Sequence, residues 1–227
     1  MRCKNNLKKR KNIITIAIDS PAAAGAGTVA KNLAQHYKLF YLDTGKLYRL
    51  IGKMKISNKN TSYRMIKYKI KNLKISDLNK IELLNHKVAA SASIVARDNN
   101  IRNIVKNFQI LCAYNPPRNF KGSILDGRDI TSVIMKDAMF KFYITANLKV
   151  RAKRRFLEFK KLKKKISYNK VLKSLKKRDN SDKNRKLSPL KRTEDSILIN
   201  TSKLSKKACF LKIKRIIDEK LNINGNI

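Results

Sequence analysis

Ile13-Ile-Thr-Ile-Ala-Ile18, running directly into Asp19-Ser-Pro-Ala-Ala-Ala-Gly-Ala-Gly-Thr28, is the stretch that decides the fold. Its first six residues are β-branched or small and carry no charge, the pattern of a strand buried on both faces of a parallel sheet. The next ten are nearly all small, and an apolar-periodic helix is predicted over residues 28–37. A small-residue loop between a strand and a helix offers backbone N–H groups and the positive end of the helix dipole, so it can hold a phosphate chain. Against the phosphate-loop pattern G-x-x-x-x-G-K-[ST], Gly25, Gly27 and Thr28 are kept, Ser20 replaces the first glycine and Ala26 replaces the lysine. By itself the segment also fits a plain Gly/Ala turn before a helix.

Outward from this stretch, strands and helices alternate. Further strands are expected at 40–43, 124–126, 140–145 and 197–200, and helices near 83–96, 102–112, 148–162, 168–177 and 205–220. The alternation predicts an α/β fold with a parallel sheet and right-handed crossovers. Residues 51–81 are lysine-rich without a clear period and read as a small insertion, whereas the irregular patch 163–190, which contains Pro189, fits a mobile lid. The expected organisation is a basic tail over 1–12 and a single domain over 13–227 that carries the insertion and the lid.

Among 227 residues, Lys+Arg number 55 against 15 Asp+Glu, a net charge of +40, yet 42% of the chain is apolar, too much for a disordered polycation. The lysines run from Lys4 to Lys220, and the abundance of Ile, Lys and Asn matches codons rich in A and T. A solvated, compositionally biased surface is therefore preferred to a nucleic-acid groove, and the scattered Tyr and Phe form no stacking platform. Cys3, Cys112 and Cys209 share no short spacing and form no metal-ligand pattern with His36 and His86, which points to a reduced cytoplasm. The run 13–18 is too short for a signal sequence, and nothing approaches the roughly 20 apolar residues of a membrane span. A monomer is expected.

Four further segments follow the phosphate loop in order: Leu42-Asp-Thr-Gly-Lys-Leu-Tyr-Arg49, Val88-Ala-Ala-Ser-Ala-Ser93 with Val95-Ala96, Leu125-Asp-Gly-Arg-Asp129, and Arg178-Asp179 through Asp182 to Arg185. With these the chain resembles, from residue 13 to about 217, the bacterial cytidylate kinases, which move the γ-phosphate of ATP to CMP or dCMP. The resemblance implies a three-layer P-loop fold in which 51–81 covers the acceptor nucleotide, with ATP and Mg²⁺ as cofactors. It implies that Ser20, Pro21, Ala22, Ala23, Ala24, Gly25, Ala26, Gly27 and Thr28 hold ATP, with Thr28 nearest the metal. It assigns the acceptor to Thr44, Arg49, Ser93, Arg102, Arg128 and Asp129. Arg178, Asp182 and Arg185 are implied to close over the phosphates, Asp182 orienting Arg178 or Arg185, and Arg151, Arg154 and Arg155 share one predicted helix beside them. Arginine suits these places because its planar fork grips a phosphate at two points.

The chain departs from the family pattern at several places. Ala26 removes an ammonium group at the transferring phosphates, a loss of about 3–5 kcal/mol of transition-state stabilisation. Lys46 stands where the family prefers a small residue and is a candidate for relocated charge. Leu84 and Asn85 replace an expected Arg-Thr pair, and Ser181 takes a place often held by Arg. No carboxylate stands out as a Mg²⁺ ligand. Position 26 and the basic surface leave two rival readings, a nucleotide-binding pseudokinase and an RNA-binding module.

Overall fold

In the computed structural model, residues 12–163 and 165–223 are described; the expected basic tail falls almost wholly outside them, as does Cys3. β1 (Ile14–Asp19) leads through the loop to α1 (Ala26–His36), β2 (Leu39–Asp43) and α2 (Thr44–Ser57). α3 (Tyr63–Lys71), two 3₁₀ turns (Ile75–Asn79 and Ile81–Leu84), α4 (His86–Val95) and α5 (Asn99–Tyr114) follow, then β3 (Gly122–Gly127), a π turn (Ile130–Ile134) and β4 (Phe140–Thr145). α6 (Leu148–Lys161), α7 (Tyr168–Asn184), β5 (Ile197–Asn200) and α8 (Lys206–Ile223) complete the order.

All neighbouring strands pair in parallel, in the order β2-β3-β1-β4-β5. The strand alternation divides the core. Ile14, Ile16 and Ile18 join Phe142, Ile144 and Ile199 under α1 and α8, against Val29, Leu33, Ile213 and Ile217. Ala17, Phe40, Leu42 and Leu125 face the other way, toward Leu47, Ile51, Ile66, Ile101 and Val105. Each fully buried side chain of this kind stabilises the fold by about 1.5–3 kcal/mol. The register pairs Asp19 with Gly127, Ile18 with Asp126, and Asp43 with Asp126, so three carboxylates gather at the carboxyl edge of the sheet.

Two expectations need correction. Residues 51–81 are not aperiodic: α2 continues to Ser57, and α3 buries Ile66 and Ile70, one turn apart, in the same core as β2 and β3. Lysine and tyrosine on the remaining positions conceal that spacing in the sequence. The patch 163–190 is not irregular throughout: α7 starts where the Ser167 hydroxyl accepts from Lys170 N and runs past the predicted end at 177. No helix among the described residues is long and apolar enough to cross a membrane.

Candidate active site

A cleft of about 1010 Å³ lies at the carboxyl ends of the strands, where open α/β sheets bind ligands. All of residues 20–28 line it. Ser20 N donates to Gly127 O at 3.2 Å, fixing the loop to β3. Gly25 caps α1 with φ +94°, in the left-handed region that disfavours a side chain, and Ala23 adopts φ +61° despite having one. The loop carbonyls are held from outside: Ala22 O accepts from Arg151 Nη1 at 3.0 Å and Ala24 O from Thr201 Oγ1 at 2.9 Å. The opening amides of α1, which lack partners within the helix, start at this loop and make an anion cradle. The Ala26 methyl is only 4% exposed and packs with Ala24 and Val29, so position 26 supplies no charge.

Carboxylates stand beside the cradle. A Cβ on Gly27 would sit 3.3 Å from Asp126 Oδ2, while Asp126 Oδ1 accepts from Tyr41 Oη at 3.1 Å. Burial, reinforced by the charge of Asp43, pushes Asp126 up to about 8. Asp19 beneath is raised to about 6 by burial, although Thr131 Oγ1 (2.6 Å) and the amides of Ile130 and Thr131 (both 2.8 Å) donate to it and oppose that rise. Asp126 was missed in the sequence; the signal was its place at the end of a strand, one ladder rung from Asp43. Thr28 and Asp126 offer the hydroxyl and carboxylate oxygens that a hard cation such as Mg²⁺ takes. Among the described residues no group of three or more His, Cys, Asp or Glu could hold a metal.

The opposite wall is arginine. Arg128 Nε donates to Asp182 Oδ2 at 2.8 Å, and Arg178 Nε lies 3.8 Å from the same oxygen. Arg185 Nη2 is 3.9 Å from Asp129 Oδ1. Asp182 therefore lies closest to Arg128 and also pairs with Arg178, one of the two partners that the resemblance implied, while Arg185 sits nearest Asp129. Burial, together with Arg128, Arg49 and Arg155, lowers Arg178 to about 10 against the pull of Asp182, and burial also lowers Arg49 and Arg185. Arg178 Nε and Arg185 Nη2 are buried with no hydrogen-bond partner among the described residues. Guanidiniums crowded together with spare donors make a site for a polyanion.

Thr44 Oγ1 donates to Asp126 O at 2.8 Å, and a Cβ on Gly127 would lie 2.5 Å from that hydroxyl, so only glycine lets α2 start here. Arg49 Nη1 donates to Leu83 O at 2.8 Å, and Ser93, which lines the cleft, donates to Ala89 O at 3.3 Å. Arg102 does not line the cleft: it is buried behind Asp129, bonded to that carboxylate and to Ala96 O. Of the α6 arginines, Arg154 and Arg155 reach the cleft and Arg151 is buried beneath it. Lys46 lines the cleft too, its Nζ held by Asn79 Oδ1 at 3.0 Å. The other departures also have local partners. Asn85 caps α4 by accepting from Lys87 N at 2.8 Å, and Ser181 accepts from Arg97 Nη2 at 2.7 Å.

A parallel sheet with a phosphate loop after its first strand, facing an arginine wall across one cleft, defines the class of P-loop nucleotide kinases. A family model for cytidylate kinase matches residues 16–219, and the chain belongs to the cytidylate kinase family. It is 40% identical over 215 residues to the cytidylate kinase of Bartonella tribocorum, covering 92% of this chain and 98% of that protein. The cytidylate kinase of Mesorhizobium japonicum is 36% identical over 219 residues, with 92% and 96% covered. In fold, the chain matches the crystal structure of an uncharacterized protein from Eubacterium ventriosum with a TM-score of 0.55 and 19% identity, over 90% of this chain and 98% of that one.

Proposed function

We propose that this protein is a cytidylate kinase that transfers the γ-phosphate of ATP to CMP or dCMP, giving ADP and CDP or dCDP. The observation that carries the reading is the pair of buried, unsatisfied guanidinium donors, Arg178 Nε and Arg185 Nη2, in a wall that faces the phosphate loop across one cleft. Residues 20–28 hold the donor triphosphate through the free loop amides and those that open α1, and Thr28 and Asp126 would hold the Mg²⁺, which would supply positive charge to the transferring phosphates. Arg49 and Arg128 grip the acceptor phosphate, while Thr44 and Ser93 bound the pocket for its nucleoside. Asp129 fixes that wall from behind through Arg102. Arg178 and Arg185, steadied by Asp182 and Asp129, surround the phosphoryl group in transit and replace water with fixed positive charge.

No observation in the cleft favours a pseudokinase or an RNA-binding role. The proposed setting is the reducing cytoplasm, where the protein acts as a monomer and Cys112 and Cys209 stay thiols. The reading is tested by incubating the protein with ATP, Mg²⁺ and each of CMP, dCMP, UMP and AMP, then resolving the diphosphates by chromatography. CDP and dCDP are expected to form fastest. Formation of ADP from AMP at an equal or greater rate, or no CDP at all, overturns it.

A further inference from the structure

The phosphate loop is gripped from outside by a buried assembly built on α6 and α7. Ala22 is buried in one apolar cluster with Ala152 of α6 and Val171 and Leu175 of α7, and Ala23 packs against it. At its centre Arg151, with its side chain 7% exposed, uses every nitrogen of its guanidinium. Nη1 donates to Ala22 O at 3.0 Å, Nε to Ala146 O at 2.8 Å, and Nη2 lies 2.6 Å from Asp179 Oδ2. One planar group thus joins the end of β4, the phosphate loop and α7, a task that a single ammonium on a flexible stem cannot do.

Asp179 is where this assembly meets the chemistry. It directly follows Arg178 and precedes Asp182 by three positions on α7, so any slide or rotation of the helix at Asp179 carries both residues with it. The same guanidinium that fixes Asp179 also holds the loop carbonyl at Ala22 turned away from the cleft. Because buried charge pairs have well-defined geometry and their loss leaves an uncompensated charge, the linkage transmits displacement instead of absorbing it.

We infer that Arg151 and Asp179 are positioning residues that couple the set of the phosphate loop to the placement of Arg178 and Asp182, so that seating the donor phosphates and aligning the arginine wall are one event. The inference rests on the kinase reading above, and its test separates the two. The variants are Asp179→Asn, nearly isosteric, and Arg151→Lys, which keeps a cation opposite Asp179 but cannot span all three partners. Each is titrated with ADP, which occupies the loop alone, and with a bisubstrate of adenosine and cytidine joined by five phosphates, which reaches both walls; kcat and the KM for ATP are measured alongside.

For Asp179→Asn, ADP affinity is expected to stay within about twofold, the bisubstrate's advantage over ADP to shrink about tenfold, and kcat to fall by about ten- to a hundredfold with KM for ATP little changed, as expected for displacements approaching 1 Å at a reacting centre. Arg151→Lys loses the same advantage and weakens ADP as well. An advantage that is unchanged in both variants, or ADP and bisubstrate weakened by the same factor in both, overturns the coupling and leaves a merely structural brace. A natural chain that binds the bisubstrate no better than ADP removes the kinase reading, and the coupling with it.

Discussion

The two walls of the cleft are made of different material. The donor wall is backbone: amides at the start of α1, a left-handed Gly25, and alanines at 22, 23, 24 and 26. The acceptor wall is side chain, with Arg49, Arg128, Arg178 and Arg185 steadied by Asp129 and Asp182. A cradle of N–H groups depends on φ and ψ, so the exchange of the lysine for Ala26 leaves it in place; a charged wall depends on side chains instead. The difference teaches where the positive charge for phosphoryl transfer resides in this chain. It sits opposite the loop instead of within it.

The sharpest way to break this contrast is to remove the foundation of the acceptor wall. Asp129→Asn leaves Arg102, 7% exposed, without its carboxylate, and denaturant unfolding should show a loss of about 3–5 kcal/mol. A loss within experimental error would mean the wall is not built on that pair. Next, Arg178→Ala should lower kcat by about a hundred- to a thousandfold with a smaller change in KM for ATP. If only KM moves, the wall binds phosphate without stabilising its transfer. On the donor side, Ala26→Lys should raise turnover by about two decades, because it returns one preorganised charge to the loop.

Two smaller effects sharpen the contrast through stability. The Asp126 carboxyl is raised from 3.8 to about 8 by burial, so between those values the native chain holds a proton that the unfolded chain has released. Stability of the ligand-free protein therefore falls as pH rises from about 4 to about 8, and Asp19, raised to about 6, adds to the same trend. Melting curves from pH 5.5 to 8.5 should show the decline, and Asp126→Asn should flatten it above about pH 7, where Asp19 has largely titrated; a slope that survives there in that variant assigns it elsewhere. The smallest effect belongs to Ala23→Gly, which relieves a side chain at φ +61° and should stabilise by up to about 1 kcal/mol in the same melts.

How much of this was legible follows from whether a feature is local. β4 and β5 lie where the β-branched and aromatic runs place them, at 140–145 and 197–200. Thr44, Arg49, Arg128, Asp129, Arg178 and Arg185 were marked by the resemblance, each in a short local segment that begins at a strand end or carries helical spacing. α3 was hidden, since Ile66 and Ile70 alone mark its buried face among lysines and tyrosines. Asp126 was hidden for another reason: its role depends on β3 lying beside β2, and strand order is not written in either strand. The partners of Asp182 and Arg151 are likewise long-range, Arg128 being 54 residues from Asp182 and Ala22 being 129 from Arg151.

The central claim, that an uncharged amide cradle and an arginine wall together move a phosphoryl group, is tested most directly by the rate of CMP-dependent ADP release from the unaltered protein in the presence of Mg²⁺. The account predicts measurable turnover that rises in Ala26→Lys and collapses in Arg178→Ala. A protein that binds ATP and CMP yet releases no ADP, with alanine or with lysine at position 26, would contradict it.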